Sequence, residues 1–168
     1  MFAEFIYRPT SGQYEEHSFD LETVWKSPNW CWVKFTTNNG EEWVGSFRGT
    51  PKKTAIADKI NIIAVLTDDC IYMLNIEKRK IVFHEPQTNY RDLIEAPTKD
   101  KFLVADYYQI GLLDKDFNFH LLETEFDMDY IKFIGYEGTR LNIELDKMPD
   151  YKRVKGYVDT DNWTIISD

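Results

Sequence analysis

Two stretches of this sequence, set 39 residues apart, can be laid over one another: Ala64-Val65-Leu66-Thr67-Asp68-Asp69-Cys70-Ile71-Tyr72-Met73-Leu74-Asn75 and Leu103-Val104-Ala105-Asp106-Tyr107-Tyr108-Gln109-Ile110-Gly111-Leu112-Leu113-Asp114. Each starts apolar, breaks at a polar turn and resumes apolar. A charged turn follows, then a third apolar stretch, Lys80 to Phe83 in one copy and Phe119 to Leu122 in the other. The strand–turn–strand form recurs in Val33 to Phe47 and in Phe133 to Ile143. A meander of short strands cannot bury its apolar face alone, so units of roughly 30–40 residues must stack on their neighbours. The expectation is an all-β domain over residues 1–168, made of about four meandering antiparallel units of three to four strands each. A curved β-sandwich is the alternative arrangement.

The local pattern agrees with strands. Leu141, Ile143 and Leu145 alternate with Asn142, Glu144 and Asp146, the period of a half-buried strand. Asn38-Asn39-Gly40 supplies the turn residues for a hairpin that faces Val33 and Phe35 with Trp43 and Phe47. Phe102-Leu103-Val104-Ala105 is a continuous apolar run, as in a strand covered on both faces. The best candidate for a helix is the stretch from Tyr90 to Glu95, confined between Pro86 and Pro97 to a turn or two. The N-terminal strand Phe2 to Tyr7 is expected to complete the last sheet. Together, the succession of short meanders and the apolar–turn–apolar–Asp rhythm resemble the blades of bacterial β-propeller-like domains. The resemblance covers most of the chain and implies a small or incomplete propeller-like stack. The Gly-His and Trp-Asp signatures of propeller blades are missing, as is the kelch di-glycine.

Charge and cysteine content narrow the function classes. Twenty Lys and Arg against 29 Asp and Glu give a net charge of −9, which repels phosphate backbones and anionic lipid. No nucleic acid and no membrane are expected as partners, and a basic protein is compatible. Cys31 and Cys70 lie in apolar stretches without histidines at metal-ligand spacing, so they read as small buried hydrophobes. Met1-Phe2-Ala3-Glu4 lacks the basic and apolar regions of a signal peptide, and the expected location is cytoplasmic.

Catalytic patterns are sparse. His17, His84 and His120 read as strand residues in polar or edge positions, and no nucleophile elbow or glycine-rich phosphate loop is present. Asp114, Asp116, Asn118 and Glu125 have the spacing of a calcium loop, but Phe119 stands where that loop needs glycine, so a solvated hairpin turn is the better account. No metal, cofactor or catalytic residue is assigned. Acidic pairs such as Asp68-Asp69 read mainly as turn caps. Aromatics are the densest feature, with Trp25, Trp30, Trp32 and Trp43 inside 19 positions. The candidate partner-binding residues are Trp25, Trp30, Arg48, Asp68, Asp69, Tyr107 and Tyr108: rings on loops or turns, a companion arginine and turn carboxylates. The expected function is a non-enzymatic protein-binding module, in its sharpest form an acidic immunity-type inhibitor of a basic toxin domain. A carboxylate-dependent hydrolase on the same scaffold and a structural or sensor unit of a larger assembly remain open.

Overall fold

The computed structural model describes residues 1–21, 26–86 and 88–167, and these form sixteen strands in four four-stranded sheets. The only helical turn among them is a 3₁₀ turn at Asp58–Ile60. The all-β expectation of four meandering units holds. The chain divides into two compact units, the first of Met1–Ile56 with Asn61–Thr88, the second of Ala57–Ile60 with Asn89–Asp168.

In the first unit one sheet has the order β1-β3-β4-β2, from β1 (Phe2–Ile6), β2 (Glu15–Phe19), β3 (Trp30–Thr36) and β4 (Glu42–Arg48). The second runs in chain order through β5 (Pro51–Ala57), β6 (Ile62–Thr67), β7 (Cys70–Asn75) and β8 (Lys80–Pro86). Alternation along β3 and β4 sends Val33, Phe35, Trp43 and Phe47 inward, each with no exposed surface, where they pack with Ile63, Val65, Tyr72 and Leu74 of the second sheet. Phe35 stacks on Trp43 at 4.1 Å between ring centroids. The two sheets are also tied by polar groups: the Thr67 and Tyr72 hydroxyls lie 3.0 and 3.1 Å from the Arg48 carbonyl oxygen.

Two expectations fail here. The N-terminal strand joins the first sheet, not the last, with Phe5 opposite Val33. Its register puts Ala3 and Phe5 against the core and sets Glu4 2.9 Å from Lys34, so burial and charge select the same partner. The sheet is also not wholly antiparallel, because β2 runs parallel to β4. Phe19 thereby stacks on Phe47 at 5.0 Å, and both rings lie over Gly45, where a Cβ would come within 2.7 Å of the Phe47 ring.

The second unit repeats the scheme. Strands β9 (Asp92–Glu95), β10 (Phe102–Ala105), β11 (Ile110–Leu113) and β12 (Phe119–Leu121) form one meander, and β13 (Met128–Glu137), β14 (Arg140–Lys147), β15 (Lys152–Asp159) and β16 (Thr164–Ser167) the other. Leu103, Ile110, Phe133, Leu141, Ile143 and Val158 lie in their shared core. The buried Asp92 carboxylate accepts hydrogen bonds from the Leu93 N–H at 3.0 Å and the Phe133 N–H at 2.8 Å, and the Tyr136 hydroxyl donates to the Glu95 carbonyl at 3.0 Å. The stretch expected as a helix is therefore a strand from Asp92 onward. Six residues cannot repay helix nucleation, whereas pairing Leu93 with Val104 and Ile94 with Leu103 satisfies the backbone at once. The 39-residue repeat places β6 over β10, β7 over β11 and β8 over β12.

Truncating the centre of the first unit tests its core. Phe35→Ala is expected to lower unfolding stability by about 3–5 kcal/mol in urea titration followed by tryptophan fluorescence. A loss below about 1 kcal/mol would contradict the packing described.

Candidate functional site

Arg48, the last residue of β4, organises one end of the first unit. Its backbone carbonyl holds the second sheet, and its side chain points to the opposite face of the first, since it sits opposite Trp30 in the ladder. The guanidinium lies 4.4 Å from the Trp30 ring centroid. Its Nε and one terminal nitrogen donate to the Asp20 carboxylate at 2.9 and 2.7 Å, and the other terminal nitrogen donates to the Ser27 carbonyl at 3.0 Å. Three of its five donors are thus used within the chain. Its side chain is only 15% exposed, so it braces Trp30 more than it offers itself to a partner.

The β6–β7 turn reaches the same place. The Asp68 carboxylate accepts the Thr50 N–H at 2.5 Å, which fixes the segment after β4. Gly49 is required between them: its φ is +109°, and a Cβ there would meet the Thr67 hydroxyl at 2.5 Å. Asp69 is 3% exposed, and neither of its carboxylate oxygens takes a hydrogen bond of ordinary geometry from the described residues. Burial pushes its carboxyl above the usual aspartate range and the Asp68 charge adds to this, while the Ser27 backbone and the Arg48 cation pull the other way. The fold therefore brings together Trp30, Arg48, Asp68 and Asp69, four residues singled out in the sequence. Trp25 lies outside the described residues.

Tyr107 and Tyr108 belong to the second unit, in the β10–β11 turn that corresponds to Asp68-Asp69 in the repeat. Asp106 caps this turn by accepting the N–H groups of Tyr108 and Gln109 at 2.7 and 2.9 Å. The Tyr107 hydroxyl bonds to Arg91, whose guanidinium lies 4.0 Å from the ring centroid, whereas Tyr108 is 68% exposed. Of the pair, Tyr108 is the ring free to meet a partner.

The sequence reading passed over the surroundings of Trp30. Trp30 and Trp32 are two apart in β3, so both rings leave the same face of the sheet, away from the core. They border a shallow groove of about 330 Å³ together with Arg8, Glu16, Ser18 and Ser46. Trp-x-Trp spacing inside a strand was the available signal.

Histidines and calcium-like carboxylates take structural positions. His84 and His120 lie on the edge strands β8 and β12. Asp114 accepts the N–H groups of Asp116 and Asn118 at 2.8 and 3.0 Å and pairs with His120 at 2.8 Å, the geometry of a capped hairpin turn. Cys31 and Cys70 are buried free thiols, both pushed up to about 12 by burial. Asp69 and Glu85, two carboxyls raised by burial, do not line that groove or the two others of similar size, which run along β13–β15 and beside β16.

No family model matches this chain, and no curated protein matches it. Among solved structures it is similar to the N-terminal domain of Nup159, with a TM-score of 0.48 and 8% identity over 71% of this chain and 34% of that one. A Saccharomyces cerevisiae assembly of Dbp5 bound to Nup159, Gle1, IP6 and ADP gives a TM-score of 0.48 and 7% identity over 71% and 34%. The fission yeast complex of SREBP–SCAP binding domains gives 0.37 and 9% over 71% and 35%. The chain spans about a third of the length of these solved chains. The likeness is one of fold alone. No helix among the described residues is long and apolar enough to cross a membrane.

The buried Asp69 carboxyl yields a signed expectation. A carboxyl raised in the folded state binds its proton more tightly there than in the unfolded chain, so its contribution worsens as pH rises through its raised value. Asp69→Asn should therefore melt at a higher temperature than the parent at about pH 7, with the gap closing toward about pH 3.5, where both side chains are neutral. A variant destabilised at about pH 7 but not at about pH 3.5 would instead show that the ionised carboxylate is needed.

Proposed function

We propose that this chain is a non-enzymatic module that binds a basic protein, and that it acts in the bacterial cytoplasm as an inhibitor of the immunity type. The uneven placement of charge carries this reading. The first unit has 11 acidic and 9 basic residues, net −2, and the second has 18 and 11, net −7. Within the second unit, residues 106–129 hold seven carboxylates and one lysine. Among these, Asp114 and Asp116 have ion pairs, with His120 and Lys115, whereas Glu123, Glu125 and Asp127 meet no cation among the described residues.

Exposed rings and aliphatic groups share this segment or adjoin it. Tyr108 is 68% exposed, Leu121 54% and Tyr130 57%. A field of one sign accelerates encounter with an oppositely charged partner, and aromatic side chains then supply contact area at little entropic cost.

The reading is tested by purifying the chain with the products of neighbouring genes and measuring affinity at rising potassium chloride. A basic partner should be retained at low salt and lose at least about tenfold in affinity between 50 and 300 mM salt, roughly the range over which surface charges become screened. Absence of any such partner, or affinity indifferent to salt, would reject the proposal.

A further inference from the structure

The groove on the outer face of the first sheet is independent of the charge that carries the proposed function. Across the strand order β1-β3-β4-β2, its floor and walls follow from register. Trp32 stands opposite Ser46, and Ser46 opposite Ser18, so two small hydroxyl side chains lie beside the tall indoles. Trp30 stands on the next outward position of β3, with its ring held by Arg48. Arg8, just beyond β1, lies over Trp32 at 5.7 Å from the ring centroid, and Glu16 on β2 closes the far side.

The polar groups here are unspent. Among the described residues, no hydrogen bond engages the indole N–H of Trp30 or Trp32 or the hydroxyls of Ser18 and Ser46, and neither Arg8 nor Glu16 has an ion pair. Donors outnumber acceptors, and the walls are flat rings. That combination suits a ligand whose carbonyls are free and whose own N–H groups are few. Proline-containing chain in the polyproline II form has those properties, because its backbone makes no internal hydrogen bonds and its rings are apolar and rigid.

The charges at the two ends define the ligand further. From β1 to β2 is three strand spacings, about 14 Å at about 4.8 Å each. Polyproline II advances about 3.1 Å per residue, so about four or five residues span that distance. We propose that this groove binds a proline-rich segment of a protein, laid across the strands, with an acidic residue meeting Arg8 and a basic residue meeting Glu16 four or five positions away.

The probe is a capped peptide with four prolines between a glutamate and an arginine, titrated into the full chain with tryptophan emission as readout. Saturable binding with a dissociation constant below about 1 mM is expected. Ser46→Phe, which fills the floor, should weaken it at least tenfold while leaving the melting temperature within about 2 °C of the parent. Should that variant misfold, Glu16→Lys on the exposed rim provides the same comparison and should weaken binding of this peptide while tightening binding of one with glutamate at both ends. Absence of saturation, or binding unchanged in both variants, overturns the proposal. So does preferential binding of a neutral oligosaccharide such as maltohexaose that Ser46→Phe abolishes, since the groove would then be a sugar site. The outcome is separable from that of the basic-partner reading, which is tested by salt dependence and depends on carboxylates of the second unit.

Discussion

A four-stranded sheet with one apolar face is stable only when another sheet covers it, and in each unit the cover is fixed by buried and partly buried hydrogen bonds at the seam. In the first, the Arg48 carbonyl receives the Thr67 and Tyr72 hydroxyls. In the second, the Asp92 carboxylate receives the Phe133 N–H while the Tyr136 hydroxyl reaches the Glu95 carbonyl. Apolar packing is indifferent to small slips, whereas a buried polar group left without its partner costs about 1–3 kcal/mol. These few contacts therefore set the register in which Phe47, Val65 and Tyr72, or Leu103, Phe133 and Ile143, interlock.

Dependence on the seam explains what the sequence could and could not reveal. Strands within a meander were legible because turn residues and alternation are local: Asn38-Asn39-Gly40, Thr67-Asp68-Asp69 and Asp106-Tyr107-Tyr108 all lie between paired strands. Long-range choices were not. Nothing near Phe2 states that it pairs with Thr36, and the parallel placement of β2 is visible only once Phe19 is seen over Gly45 and Phe47. The stretch before Pro97 looked helical because its true partner, Phe102–Ala105, lies beyond a turn whose pairing no local pattern announces.

The candidate site shows the same division. Trp30, Arg48, Asp68 and Asp69 were chosen one by one for their chemistry, and the hydrogen bonds around Arg48 and Gly49 bring them to one end of one unit. Their roles changed on assembly. Arg48 is occupied by Asp20, Ser27 and Trp30, and Asp69 is buried, so both support the surface from beneath. Trp32, counted in the sequence only as one of four clustered tryptophans, is the wall of a groove, because it alternates with Val33 and Cys31, which take the core face.

The two proposed recognition surfaces differ in their physics. In the proposed encounter, carboxylates of residues 106–129 act at a distance of a Debye length, about 8 Å at physiological ionic strength, and so set how fast a cationic partner arrives. In the proposed groove complex, Trp30 and Trp32 act only at contact, where indole faces and unspent donors set how long an extended segment stays. Salt is expected to alter the first strongly and the second only through Arg8 and Glu16 at its rim. Arg48 links the architecture to the second of these: the residue whose carbonyl fastens the sheets together also holds Trp30 upright, so the rigidity of the groove is inherited from the seam.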